Sequence, residues 1–283
     1  VLSSFPHTPA AKPLPSPKTL YILDSSFNPP TLAHLRIALS ALLKDEHPDV
    51  RFPKRLILLL AIQNADKAPK PAAFEERLVM MEVFAHDLLS TWRKASSEAG
   101  ASSSTTSSSA ERDVDARTAE DISIDIALTT HPYFMDKATS ISQSSSYSPE
   151  TPQIHLVGYD TLIRILDPKY YPPAHTLAPL VPFLAKHRLR VTYRTDDSWG
   201  AKQAQDRYLR ELGEGKRDGE AAKREWVTEG RIVLCDGRKE GEEPVSSTKV
   251  RDAVKRGDEE MLGRLVSQGV KEWILEEGLY VND

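Results

Sequence analysis

The chain predicts an α/β fold, with a mostly parallel sheet covered by helices on both faces. Three observations carry this reading. Short apolar runs recur along the sequence, as strands buried on both faces require. Stretches with helical apolar spacing lie between them, so strands and helices alternate over the whole length. Small, polar and charged residues gather just after several of the runs, where open parallel sheets bind ligands. The 283 residues suit one large domain or two small ones. We expect a single domain over 18–283.

The lead from Val1 to Pro17 is rich in Pro and Ser and reads as a flexible, disordered tail. Thr19 to Leu23 is the first expected strand, and Asp24 to Pro30 a loop. Thr31 to Lys44 follows as a helix with a broad apolar face, Thr31 standing at its N-cap or in its first turn. Arg55 to Ala61 is the second strand, Asn64 to Lys70 a polar loop, and Ala73 to Leu89 the second helix. From Lys94 to Arg112 the composition collapses, and Ser102 to Ser109 contains only Ser and Thr. That predicts a disordered insertion over about 94–118. Ile122 to Leu128 alternates as a strand, and about 139–152 reads as a loop. Ile154 to Gly158 is a strand followed by a short helix near Thr161 to Leu166. Leu189 to Arg194 and Arg231 to Cys235 are two more strands. The charged stretch Lys202 to Glu229 between them is a solvated helical segment broken at Gly213, Gly215 and Gly219. Lys249 to Arg256, Glu259 to Ser267 and Val270 to Glu277 close the chain as helices.

Composition narrows the function. The net charge is −4, so no global positive field recruits nucleic acid or an acidic membrane, and any anion site must be local. Cys235 is the one cysteine, which leaves no internal disulfide and no cysteine metal cluster; its apolar run gives it a structural role. No run approaches the ~18 apolar residues of a membrane span, and the first residues carry no continuous apolar stretch of a signal peptide. The expectation is a soluble intracellular protein of the cytoplasm, with the nucleus also open. No nucleic-acid partner is expected, and oligomeric state is not legible.

Three clusters could carry chemistry. Ser25-Ser26-Phe27-Asn28-Pro29-Pro30-Thr31-Leu32-Ala33-His34 runs from a strand end into a helix N-terminus, whose unpaired N–H groups and dipole attract phosphate. His34, one turn in, reads equally as an anion contact or as a hydrogen-bonded imidazole on a partly buried helix. Val245-Ser246-Ser247-Thr248-Lys249-Val250-Arg251 again opens a helix. Ser246, Ser247 and Thr248 could cap it and offer hydroxyls to phosphate, with Arg251 adding a forked charge, or they are an N-cap beside a solvated Arg. Gly158-Tyr159-Asp160 ends a strand, and Asp160 serves either as a ligand contact or as a helix N-cap.

These three segments together resemble the nucleotidylyltransferase superfamily, and most closely the nicotinamide mononucleotide adenylyltransferases of a divergent fungal branch. The first segment is similar to the family's phosphate-binding turn and histidine signature, with Ser25 and Ala33 where that pattern carries Gly. The second is similar to its Ile-Ser-Ser-Thr-x-x-Arg signature, and Gly158 to Asp160 to its Gly-x-Asp turn. The resemblance spans roughly Thr19 to Val281. It implies a Rossmann-like fold of the nucleotidylyltransferase type and transfer of AMP from ATP to nicotinamide mononucleotide, giving NAD and pyrophosphate. His34 and Arg251 are the implied catalytic residues. Ser25, Ser26, Phe27, Thr31, His34, Gly158, Asp160, Ser246, Ser247, Thr248 and Arg251 are the implied ATP contacts. Asn28, Lys67, Lys70 and Arg194 are the implied acceptor contacts. Mg2+ enters with ATP, held by phosphates and water, and no metal site is expected on the protein.

Other residues read both ways. Lys67 and Lys70 are acceptor contacts or solvated loop lysines, and Arg77 belongs to a surface pair with Glu. Tyr133, Phe134 and Trp199 stack on a ring or belong to the core, while Trp273 and Tyr280 pack. The same chemistry on another phosphorylated acceptor, or a nucleotide-binding regulatory protein with little transferase activity, remains an alternative. A P-loop, a Gly-x-Gly-x-x-Gly turn, a nucleophile elbow and a zinc helix are all absent from the sequence.

Overall fold

A computed structural model of the chain describes residues 1–5, 15–62, 72–102, 122–194, 199–237 and 244–281. Its centre is a seven-stranded sheet in the order β1-β4-β3-β2-β5-β6-β7. The strands are β1 (Ser3–Phe5), β2 (Thr19–Ser25), β3 (Lys54–Ala61), β4 (Ile122–Thr129), β5 (Gln153–Gly158), β6 (Arg188–Thr192) and β7 (Ile232–Cys235). β2 through β7 pair in parallel, and β1 lies antiparallel on β4 with Phe5 opposite Ile124.

The apolar runs form strands because both of their faces are covered. All eight residues of β3 are buried. Along β2, Tyr21 and Leu23 enter one core, while Leu20 and Ile22 enter another on the opposite face, as a side-chain period of two demands. The first face packs against α1 (Leu32–Lys44), α2 (Phe74–Ser102), α8 (Ser247–Lys255), α9 (Glu259–Leu265) and α10 (Gln268–Glu276). On the other face, β5 to β7 carry α4 (Tyr159–Ile165), α5 (Leu180–Lys186), α6 (Lys202–Gly213) and α7 (Glu225–Thr228). α3 (Phe134–Gln143) covers the opposite side of β2 and β3 through Ile141.

The chain order sets the position of the site. From β2 the chain moves outward through β3 to β4, then returns to place β5 on the other side of β2 and continues to β7. The sense of winding reverses between β2 and β5. The loops leaving the C-terminal ends of these two strands diverge there and open a crevice.

Three sequence expectations change. The lead from 1 to 17 is not tail throughout, because Ser3–Phe5 is a strand and Phe5 is fully buried. The insertion does not begin at 94, because α2 continues to Ser102, while residues 103–121 lie outside those described. The stretch 139–152 is helix as far as Gln143. Beyond it Tyr147 is buried, its hydroxyl donating to Asp125 Oδ2 at 2.6 Å.

Candidate active site

β2 delivers Ser25 at its last residue, and Thr31 then caps α1 with extended backbone. Between them Phe27 takes a positive φ of 44°. Its ring is fully buried, with its centroid 5.2 Å from His34 and 6.5 Å from Phe84. Phe27 was expected among the ATP contacts; its ring lies in the core against the imidazole and does not line the cavities described below.

His34 is the third residue of α1. Its Nδ1 accepts the Thr31 backbone N–H at 3.0 Å, the reciprocal half of a capping box with imidazole in the usual carboxamide or carboxylate role. The Thr31 hydroxyl lies 2.9 Å from the same nitrogen. A backbone N–H can only donate, so Nδ1 is the acceptor and Nε2 carries the proton. Nε2 lies 2.9 Å from Ser25 Oγ. Burial holds the pKa of the imidazole down at about 4, so it is neutral at neutral pH.

The second cluster closes over the first. Ser246 caps α8, its Oγ accepting the Lys249 N–H at 3.2 Å. Ser247 Oγ donates to the Pro29 carbonyl at 2.9 Å. Arg251 Nη1 donates to the Asn28 carbonyl at 2.8 Å, and Nη2 to Thr248 Oγ1 at 3.2 Å. Asn28 Oδ1 accepts from the buried Tyr280 hydroxyl at 2.9 Å and from the Ala72 N–H at 3.3 Å. Arg77, read above as half of a surface pair, donates from Nε to the Ser26 carbonyl at 2.9 Å, and burial lowers its pKa. Four polar side chains from distant parts of the chain therefore grip the backbone or side chain of one short loop.

The third cluster sits across the crevice. Gly158 is the N-cap of α4, and Asp160 lies inside the first turn, so the capping role considered for Asp160 falls to Gly158. A Cβ on Gly158 would stand 2.7 Å from Asp160 Oδ1, which is why a side chain is unwelcome there. Asp160 receives Arg164 Nη2 at 3.1 Å and faces Arg194 Nε at 3.5 Å.

Two cavities among the described residues meet at the crevice. The larger, about 660 Å³, is lined by Ser25, Ser26, Asn28, Thr31, His34, Gly158, Asp160, Arg194, Ser246, Ser247, Thr248 and Arg251, with Ala33, Arg77 and Ile62 beside them. The smaller, about 290 Å³, is lined by Tyr133, Phe134, Tyr170 and Tyr171, with Lys137 and Arg164. Asp24, Ser25, Ser26, Asp160 and Thr161 border both. The expected ATP contacts other than Phe27 are thus brought together. Of the expected acceptor contacts, Asn28 and Arg194 border the larger cavity, and Lys67 and Lys70 lie outside the described residues. Trp199 packs edge-on against Tyr159 at 6.4 Å.

Sequence reasoning missed the pair at the junction. Lys137 Nζ bonds Asp24 Oδ2, with both side chains almost fully buried. Burial raises the Asp24 pKa, and the lysine opposes that rise. A lysine one turn into a helix after an ordinary strand carries no local mark of this role.

A Schizosaccharomyces pombe protein with the description "Putative nicotinamide mononucleotide adenylyltransferase" is 32% identical over 258 residues, covering 90% of this chain and 83% of its own length. The chain belongs to the nicotinamide mononucleotide adenylyltransferase family. Two solved structures of Plasmodium falciparum nicotinic acid mononucleotide adenylyltransferase, complexed with NaAD and with APC, superpose with a TM-score of 0.53. They are 12% and 11% identical and cover 93% of this chain and 97% and 96% of theirs, so they bear on the fold alone. That fold is the Rossmann-like nucleotidyltransferase sheet with helices on both faces. No protein-family model matches the chain. Among the described residues, no helix is long and apolar enough to cross a membrane.

Proposed function

We propose that the chain transfers the adenylyl group of MgATP to nicotinamide mononucleotide, releasing pyrophosphate and forming NAD. The observation that supports this best is the meeting of two cavities at Ser25. The larger carries the phosphate-seeking groups: the α1 and α8 N-termini, His34 and Arg251. The smaller is walled by aromatic rings that suit a planar base. A phosphate entering from the smaller side would meet the α-phosphate of ATP at their shared border, aligned for in-line attack.

No protein nucleophile is needed. The acceptor's phosphate oxygen attacks the α-phosphorus, and pyrophosphate leaves. Arg251 and the Ser246 to Thr248 turn hold the β- and γ-phosphates, while the neutral His34 turns an N–H dipole toward the transfer point. Mg2+ arrives as part of the substrate. Both carboxylates bordering the two cavities are engaged by cations, Asp24 by Lys137 and Asp160 by Arg164 and Arg194, which favours phosphates and water as the metal's ligands.

The choice of acceptor rests on charge. Around the smaller cavity, Lys137 is matched by Asp24 and Arg164 by Asp160. A neutral ring amide fits this balance better than a ring carboxylate. The test is pyrophosphate release from MgATP with nicotinamide mononucleotide, nicotinate mononucleotide and phosphopantetheine in parallel. Fastest release with the amide is expected. Faster release with the acid or the pantetheine would reassign the acceptor. ATP binding with no release from any of them would leave a nucleotide-binding protein.

A further inference from the structure

We propose that Lys137 is the cation that receives the acceptor's phosphate, exchanging its ion pair with Asp24 for a pair with that phosphate. The inference rests on the adenylyl-transfer reading above and deepens it.

Position is the first argument. Lys137 lies in the first turn of α3, and of the two cavities it lines only the smaller, whereas Asp24 borders both. An acceptor with its ring among the aromatic walls and its phosphate at the shared border therefore brings that phosphate beside the pair. The ammonium has three donors, and its hydrogen bond to Asp24 uses one. Nζ also lies 5.2 Å from the centre of the Phe134 ring, which is a wall of the same cavity.

Charge is the second argument. A phosphate monoester carries about −1.5 to −2 at neutral pH. The Lys137 and Asp24 side chains are only 4% and 8% exposed, so water does little to screen them. Once the phosphate arrives, two anions face one buried cation, and leaving either anion unpaired is costly. The more highly charged phosphate takes the lysine. The carboxylate, which burial already pushes toward its protonated form, takes up a proton.

The neighbours are the third argument. Asp160, the other carboxylate at the border, keeps Arg164 and Arg194 whatever Lys137 does. Arg77 and Arg251 donate to the Ser26 and Asn28 carbonyls. Burial holds His34 and His155 neutral, and the charge of Lys137 adds to that effect at His155. Tyr133, Tyr170 and Tyr171 bring hydroxyls to the smaller cavity, that of Tyr171 donating to the Ile165 carbonyl at 2.6 Å. Asp24 is thus the group at the border that gains the proton.

The exchange breaks no bond between heavy atoms. The hydrogen bond from Nζ to Oδ2 is lost, one from Nζ to a phosphate oxygen forms, and one proton passes from solvent to Asp24. Lys137 then stays on the non-bridging oxygens of the attacking phosphate. With Lys137 on the phosphate and Arg164 on Asp160, a ring carboxylate finds no spare cation among the described residues of the smaller cavity, which agrees with an amide acceptor.

Two measurements test the exchange. Pyrophosphate release gives KM for nicotinamide mononucleotide and for MgATP in the wild type, Lys137→Met and the double variant Asp24→Asn/Lys137→Met. The double variant removes both charges at once and carries the test if the single variant does not fold. Both are expected to raise the acceptor KM about tenfold to a hundredfold, with KM for MgATP changed by less than about threefold. Calorimetric titration with nicotinamide mononucleotide, in two buffers of different ionisation enthalpy at neutral pH, counts protons. Wild type is expected to take up protons on binding and Asp24→Asn to lose that uptake. Nicotinamide riboside, which has no phosphate, is expected to cause none. Three results overturn the proposal: an acceptor KM unmoved in both variants, a KM for MgATP that rises as much, or the same proton uptake in Asp24→Asn as in the wild type. A pair that merely fastens α3 to β2 would lower the urea midpoint of Lys137→Met and leave the acceptor KM alone. Failure of the transferase reading looks different. Wild type that binds the mononucleotide but releases no pyrophosphate with any acceptor ends that reading, and the proton count alone then decides the exchange. A chain that does not bind the mononucleotide ends both.

Discussion

Arg251 holds two groups at once, and only a fork can do so. One nitrogen lies on the Asn28 carbonyl and another on the Thr248 hydroxyl, while the guanidinium borders the larger cavity. Lysine keeps the charge and loses the second arm. Arg251→Lys is therefore expected to weaken ATP binding by about 2 kcal/mol, roughly thirtyfold. Calorimetric titration with ATP checks this, and unchanged affinity would remove the fork from the site. Spacing alone left His34 and Arg251 open between an anion contact and a capping or solvated role, and the resemblance of their two segments made them candidates. It did not make the direction of the His34 hydrogen bonds legible, since that depends on where the Thr31 N–H points. Nor did it make Lys137 legible, because its partner Asp24 is 113 residues away and only packing joins them. The burial of the Phe27 ring was not legible either, because it depends on the left-handed backbone at that position.

β1 is three residues long and still closes the β4 edge of the sheet. Phe5 is its anchor, fully buried with its ring edge-on to His86 at 4.8 Å. Phe5→Ala is expected to lower stability by about 3–5 kcal/mol through the cavity it leaves. Urea unfolding would measure that loss, and pyrophosphate release at 25 °C would stay unchanged, because the strand lies three positions from β2 in the sheet. This strand was illegible in the sequence. Three residues in a Pro- and Ser-rich lead have no period, and their strand character comes from pairing with Ile124 to Ile126. The core strands were legible because their runs are apolar enough to be buried on both faces whatever surrounds them. α2 was cut short because Lys94 to Ser102 looked compositionally poor, although Ala95, Glu98, Ala99 and Ala101 are all compatible with a helix that the core already anchors through Trp92.

The molecule as a whole stores several histidines in uncharged form. Burial holds His34 and His187 down at about 4 and His155 well below its ordinary value. His155 lies between Phe134 and Phe183, with neither ring nitrogen hydrogen-bonded among the described residues. In the unfolded chain all three take up protons near 6.5, so below that pH the unfolded state holds more protons than the fold. Stability is then full above about 6.5 and is lost as the pH falls through about 4, at roughly 1.4 kcal/mol per pH unit for each histidine. Burial lowers His47 in the same sense, and Asp24, raised by burial, works in the opposite one. The urea midpoint is expected to fall between pH 7 and pH 5, and His155→Phe to flatten that fall. Equal midpoints in the wild type would contradict the account.

The loop that carries Ser25 is gripped by Ser247, Arg251 and Tyr280, residues 218 to 252 positions later in the chain. On a ribosome the loop is made early and its clamps come after all seven strands. At about 5–20 residues per second the wait is roughly 10 to 50 seconds. During that interval the sheet can begin to assemble around β2 while the loop is held from later in the chain by the contacts of Ala72 and Arg77 alone. Competence to bind nucleotide is therefore among the last properties the nascent chain acquires, and a product cut short before Ser247 could keep strands β1 to β7 without a closed site.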